Sequence, residues 1–283
     1  MKLGKKQILS ILAIIAFGAV VSFAGFRAGK TGDTGNTENI GVPEDIADVS
    51  DLSKPSDADA VKSNGGSGAK VDFEQLKAQN PDIYAWITVP GTGIDYPVLQ
   101  KRDAEDPYDN YYLDHQVDLS EGFPGVIYSQ PVNRRDFMDS VTVLYGHNLK
   151  NGGMFSDLHD FEDEDFFAEN NQVIIYTPEK TLTYEIFAAI DFSDALLPYE
   201  YDFTESDEVQ RHLADVKKCQ GNFKEEMKLT SDAKILVLST CYGDREERRL
   251  LVEAALTEEV QIAEVPTAEE RTAKMQLAAR FAE

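Results

Sequence analysis

Lys234-Ile235-Leu236-Val237-Leu238-Ser239-Thr240-Cys241 is a short apolar run that ends on a cysteine. Its length and β-branched content read as a buried strand. A polar loop follows, Tyr242-Gly243-Asp244-Arg245-Glu246-Glu247, and then Arg248-Arg249 opens a second apolar run, Leu250–Leu256. Two strands joined by so short a loop are expected to be antiparallel neighbours. Cys241 at the end of one then faces Arg249 at the start of the next, at a rim that substrate can reach. A third run, Val141-Thr142-Val143-Leu144-Tyr145, also ends on reactive chemistry, in Gly146-His147-Asn148.

Those three residue types suit acyl transfer. Such a reaction needs a nucleophile, a proton donor for the leaving amine, and a donor for the oxyanion. Cysteine attacks as its thiolate. Histidine titrates near neutral pH. Arginine carries a permanent charge on a forked donor.

Working outward, further strands are expected at Tyr84–Val89, Ile94–Val98, Gly125–Tyr128, Val173–Tyr176 and Thr181–Ile190. The last of these alternates apolar and polar residues as a half-buried strand does. About eight strands make a mainly β domain, a closed barrel or a sandwich. A short helix is expected over Val71–Lys77, stopped before Asn80-Pro81. A second is expected over Asp207–Gln220, capped by Ser206, with Val209, Leu213 and Val216 on its apolar face.

Ahead of this domain, residues 1–7 carry three lysines and an uncharged apolar run extends from Ile8 to Phe26. That length is close to the ~20 residues a bilayer-spanning helix needs. The flanking lysines put the N-terminus in the cytoplasm and the rest outside. A cleaved signal peptide, cut near Ser22-Phe23-Ala24, is the rival reading. Residues 27–70 turn rich in Gly, Ser, Thr, Asp and Asn and read as a flexible linker. The catalytic domain is expected over 71–256. The tail 257–283 is acidic and then helical, with a capping box at Thr267-Ala268-Glu269-Glu270. The net charge of −24 argues against nucleic-acid binding.

Val237-Leu238-Ser239-Thr240-Cys241 followed by Arg249 resembles the TLxTC…R signature of the sortases, with Val237 where a threonine is usual. Tyr145-Gly146-His147-Asn148 is similar to the family's histidine motif. Asp109-Asn110-Tyr111-Tyr112-Leu113, the segment Asp82-Ile83-Tyr84-Ala85-Trp86-Ile87 after an N-terminal helix, and the helix inserted near 207–220 resemble class B in particular. The resemblance covers roughly 71–256. It implies an eight-stranded sortase-type β-barrel with a few peripheral helices. It further implies a membrane-anchored extracellular cysteine transpeptidase that cuts a C-terminal sorting signal after Thr and holds a Cys thioester. The acyl group then passes to an amine, from a peptidoglycan precursor (lipid II) or a pilin lysine.

By the same resemblance Cys241 is the nucleophile, His147 the general acid and Arg249 the oxyanion or substrate-carbonyl donor. Asn110 and Ser239 are substrate-binding. Arg248 adjoins Arg249, and strand alternation lets only one of them point to the site. A peptidase releasing to water and a non-catalytic surface adhesin are the competing functions. No metal and no cofactor is called for. The run Glu162-Asp163-Glu164-Asp165 lacks the pattern of a calcium loop and reads as a solvated helix start. Cys219 reads as a buried small hydrophobe. His115 reads as solvated, His159 as packing at a helix edge, and His212 as lying on the exposed face of its helix.

Overall fold

The computed structural model describes residues 71–262, except 225–228, 231, 244 and 246. The apolar segment 8–26, the linker 27–70 and the helical tail expected from Thr267 lie outside the described residues. No helix among the described residues is long and apolar enough to cross a membrane.

Helix α1 (Phe73–Gln79) starts where the Asp72 carboxylate accepts the Gln75 N–H, and it stops at Asn80. Nine strands follow: β1 (Ile83–Thr88), β2 (Asp95–Leu99), β3 (Ile127–Tyr128), β4 (Val141–Tyr145), β5 (Gln172–Tyr176), β6 (Lys180–Ser193), β7 (Gln220–Phe223), β8 (Ile235–Cys241) and β9 (Arg248–Gln261). They join in the order β5-β1-β2-β3-β4-β8-β9-β6, and β5 pairs with β6 to close the ring. The result is an eight-stranded barrel, which leaves no free edge within the ring. β7 hangs outside it on β6.

Burial follows alternation along the strands around the site. Leu236 and Leu238 of β8 point into the barrel with Leu250, Val252 and Ala254 of β9 and Leu144 of β4. Ile235, Val237, Leu251, Ala255, Val141 and Val143 point outward into a second core. β8 is therefore buried on both faces, which is why its sequence is apolar without alternation. It pairs parallel with β4 on one side and antiparallel with β9 on the other. A parallel pair is expected to be covered on both faces.

The outer core is roofed by the insertion between β6 and β7. It contains helices α3 (Leu197–Glu200) and α4 (Ser206–Val216), with α2 (Glu164–Glu169) lying earlier, beside a 3-10 helix at Ser156–Glu162. α2 begins in the acidic run, capped by Asp163, as expected of a solvated helix start.

The fold departs from the sequence pattern at α4 and at β7. The inserted helix ends at Val216, short of Gln220, and Gln220–Phe223 instead becomes β7. Gly221 makes that possible. Its φ is +144°, and a Cβ there would lie 2.1 Å from the Ala189 carbonyl oxygen, so only glycine lets β7 press this close to β6. His212 is fully buried, on the inner face of α4 and not the exposed one. It follows Val209 by three residues and precedes Val216 by four, so helix geometry sets it on the apolar stripe. Its Nε2 lies 3.0 Å from Oε1 of Glu253, a carboxylate equally buried on the outer face of β9. The rings of Tyr201 and Phe203 stand edge-on to the imidazole.

Candidate active site

The register of three adjacent strands assembles the site. Val143 lies opposite Val237 and Tyr145 opposite Ser239, and the segment that continues β4 beyond this pair carries His147 to the end of β8, where the next residue, Asn148, bonds the Cys241 carbonyl oxygen. On the other flank Cys241 pairs directly with Arg249. Alternation from Val237 and Leu251 turns Cys241 and Arg249 toward the outer face. Histidine, cysteine and arginine thus form one row across β4, β8 and β9, at the rim of the barrel.

The same alternation separates the two arginines. Arg248 points the other way, where its Nε donates to Asp191 Oδ1 at 2.6 Å and its guanidinium also reaches the Asp191 carbonyl oxygen at 2.9 Å. Arg245 bonds that carboxylate too and lies over the Tyr242 ring, 3.7 Å from its centroid. Arg249 acts on the opposite side. Its charge is among the causes holding His147 below its ordinary value.

His147 donates Nε2–H to the Leu113 carbonyl oxygen at 2.9 Å, which leaves Nδ1 as the atom that gains or loses a proton. Burial is the first cause depressing its pKa, and Arg249 adds to it, against the Leu113 hydrogen bond and Asp114. At neutral pH the ring is therefore mainly neutral. Phe123 stands edge-on to the imidazole, centroids 4.8 Å apart, although it is itself 71 % exposed. The Leu113 carbonyl packs directly against Gly125. A Cβ on Gly125 would lie 2.4 Å from the Leu113 oxygen, and its φ is +67°.

Asn110 sits just before the turn Tyr111–Leu113. Its Oδ1 accepts from Tyr128 OH at 3.1 Å and from Gln130 Nε2 at 2.9 Å. What it can offer a ligand is thus its Nδ2 amide. Ser239 is 7 % exposed and lies one alternation below Cys241. A stacked pair of tyrosines, Tyr108 and Tyr199, joins the segment before Asn110 to α3 of the insertion. No sequence signal pairs these two rings, because they stand 91 residues apart and meet only through the fold.

Both cysteines are half-buried, so Cys219 is not the fully buried residue its sequence context suggests. Cys219 follows α4, where burial and Glu253 push its thiol pKa up and its sulfur lies 3.4 Å from the Asp215 carbonyl oxygen. Cys241 ends β8, with Arg249 paired to it on β9 and His147 just past the end of β4. His115 is half-buried, with Nδ1 bonded to Asp114 and Tyr111 and its ring stacked on Tyr111, so it is less solvated than expected. His159 lies on the 3-10 helix as a helix-edge residue, but it also reaches the Cys241 carbonyl oxygen at 3.3 Å. That contact spans 82 residues and leaves no trace in local sequence.

The model of the sortase domain matches residues 87–257. Sortase B of Listeria monocytogenes is 30 % identical over 200 residues, covering 70 % of this chain and 79 % of that protein. The X-ray structure of Clostridium perfringens sortase B superposes with a TM-score of 0.59 at 31 % identity, over 66 % of this chain and 100 % of the other. A Staphylococcus aureus sortase B–substrate complex superposes with a TM-score of 0.57 at 25 % identity, over 66 % of this chain and 84 % of the other. The matched span takes in β4, β8 and β9, the strands that carry the row. On that footing the chain belongs to the sortase family, as a class B member and a cysteine transpeptidase.

Proposed function

We propose that the enzyme cleaves a C-terminal sorting signal after Thr and transfers the upstream protein to an amine, with the row His147–Cys241–Arg249 as its machinery. The observation that carries this reading is the pairing of Cys241 with Arg249, with the His147 segment bonded to the end of β8 through Asn148. The Cys241 thiol first passes its proton to Nδ1 of the neutral His147, giving a thiolate and an imidazolium. The thiolate then adds to the Thr carbonyl, and Arg249 donates to the oxygen as it gains charge. His147 delivers the proton from Nδ1 to the departing amine, the C–N bond breaks, and a thioester remains. The acceptor amine then attacks the thioester and releases Cys241 as thiolate, its lost proton returning to His147. A depressed His147 pKa suits this role in one respect, since a weakly held proton is readily given up.

Asn110, through its Nδ2, and Ser239, beneath the nucleophile, are the residues proposed to contact the signal. The amine is that of a peptidoglycan precursor such as lipid II or of a pilin lysine. The S. aureus relative was solved as a substrate complex, which supports a substrate site here. Segment 8–26 is proposed as a single-pass membrane anchor, with 1–7 cytoplasmic, 27–70 a spacer, 71–256 the extracellular catalytic domain and 257–283 an extension whose first residues, to Gln261, complete β9 of the barrel.

The test is turnover of a sorting-signal peptide with and without an amine acceptor. Cys241→Ala is expected to abolish cleavage, and wild type is expected to form the amide product when the amine is present. Cleavage surviving in Cys241→Ala would refute the assignment. Hydrolysis alone, whatever the amine, would point to a peptidase.

A further inference from the structure

Past Tyr145 the strand β4 peels away from β8. The last main-chain rung is Gly146 N–H to the Ser239 carbonyl oxygen, at 3.2 Å. The next rung of a parallel ladder would fall on the Cys241 carbonyl oxygen. That oxygen is met instead by a side chain, the Asn148 Nδ2 amide, at 3.0 Å.

The same Nδ2 lies 2.9 Å from His159 Nε2. An amide N–H can bond there only if Nε2 offers its lone pair, which puts the imidazole proton on Nδ1. The longer approach of the same Nε2 to the Cys241 carbonyl oxygen, 3.3 Å, then joins two acceptors and is a contact without a hydrogen bond, so Asn148 is the donor to that oxygen. Nδ1 is 2.7 Å from Glu162 Oε2, which as a carboxylate oxygen only accepts. The other carboxylate oxygen, Oε1, accepts from the hydroxyl of Tyr242 at 2.8 Å. Tyr242 is the residue after the nucleophile, and its ring stands edge-on to His159 with centroids 5.0 Å apart. His159 and Glu162 are three residues apart on a 3-10 helix, where such positions eclipse one another. Both ends of the chain are thus specified. Glu162 sets the His159 tautomer, and His159 sets which end of the Asn148 amide faces Cys241.

We propose that Glu162, His159 and Asn148 form a positioning relay that holds the Cys241 nucleophile in place through its main-chain carbonyl. The inference rests on Cys241 as the nucleophile. The relay also ties that strand to the loop bearing His147, whose own carbonyl oxygen accepts from the Phe155 N–H at 3.0 Å just ahead of the 3-10 helix. It therefore fixes the spacing of two reacting groups where the β4–β8 ladder has run out. The His159 and Glu162 side chains are 22 % and 42 % exposed, so their pairing adds little to global stability. Its effect belongs to geometry, where a misplacement near 1 Å costs up to about 10²-fold in rate.

The test is steady-state turnover of a sorting-signal peptide with an amine acceptor by the full chain, comparing wild type with His159→Ala, His159→Asn, His159→Gln and Cys241→Ala. Loss of the Nε2 acceptor in His159→Ala and His159→Asn is expected to lower kcat by roughly 10- to 100-fold, with KM changed by less than about threefold. Gln can place its Oε1 near the lost Nε2 and accept from Asn148, so His159→Gln should recover much of kcat. Asn keeps the shorter reach toward Glu162 only and should not. Wild-type kcat in His159→Ala, or a loss that tracks the folded fraction in thermal unfolding, would overturn the relay. Equal loss in the Gln and Asn variants would overturn it too. Turnover surviving in Cys241→Ala would remove the nucleophile assignment and the relay with it. Turnover lost in Cys241→Ala but unchanged in His159→Ala would remove the relay alone.

Discussion

Replacing Glu253 by Ala should destabilise the domain far more than an ordinary strand substitution. Glu253 is fully buried on β9 and pairs with the equally buried His212 on α4. Removing one member of such a pair costs about 3–5 kcal/mol, because the partner is left without its counterpart in a dry site. For a domain of this size each kcal/mol is worth roughly 2–4 °C, so the melting temperature should fall by roughly 6–20 °C. His212→Ala should cost at least as much. It orphans the carboxylate and also empties the space beside the stacked rings of Tyr201 and Phe203, which lie 5.0 and 5.4 Å edge-on from the imidazole. The double variant His212→Phe/Glu253→Met should lie close to wild type, since a buried ion pair replaced by well-packed apolar groups is often neutral or better. Thermal unfolding followed by circular dichroism reads all three. A fall below about 3 °C for Glu253→Ala would refute the argument. So would a double variant as unstable as the singles, because the cost would then not come from the orphaned partner.

The other expectations concern the row itself. Arg249→Gln should raise the His147 pKa, read by NMR titration of its ring, because the Arg249 charge helps hold it down. Arg249→Lys should leave that titration nearly unmoved yet still lose turnover, for want of the forked donor. Arg248→Ala, which severs contacts to Asp191 on the other face, should do neither. Gly125→Ala should cost about 1–3 kcal/mol in backbone strain. It should also displace the Leu113 carbonyl, so that His147 loses a bond favouring its protonated form and its pKa falls further, with turnover. Phe123→Ala should admit water to the imidazole and raise its pKa toward the ordinary value, since burial is the first cause of its depression. The sign for stability follows. A folded-state pKa below the unfolded value of about 6.5 means the unfolded chain binds more protons there. The His147 contribution is thus intact above about 6.5 and is lost as pH falls toward the folded value. His147→Phe should flatten that part of the stability profile.

How much of this was readable in the chain depends on whether the signal was local or carried by register. The eight barrel strands each showed as an apolar run, and the row could be anticipated because all three of its members sit at strand ends. The Cys241–Arg249 pairing needed only a short loop and antiparallel neighbours. The choice between Arg248 and Arg249 could not be made from spacing, since it turns on which face of β9 looks at Asp191. β7 was missed because Gln220-Gly221-Asn222-Phe223 has no strand propensity of its own. It forms because Gly221 permits a close approach to β6 that no other residue would.

His212 was misplaced for a different reason. Its polarity favours an exposed face, whereas its three- and four-residue spacing from Val209 and Val216 puts it on the buried stripe. Its partner Glu253 stood in plain view as a lone acid inside Leu251-Val252-Glu253-Ala254-Ala255. An unpaired carboxylate in such a run is too costly to bury, so the sequence demanded a partner without naming it. His159 lies beyond even that reasoning, because its contacts to Asn148 and Cys241 arise only after the barrel has brought the 3-10 helix against the end of β8. The distinction is physical. Residues that form a row are placed by the strands they belong to, and strand periodicity is written locally. Residues that hold the row from behind are placed by closure of the whole barrel, and closure is a property of no single segment.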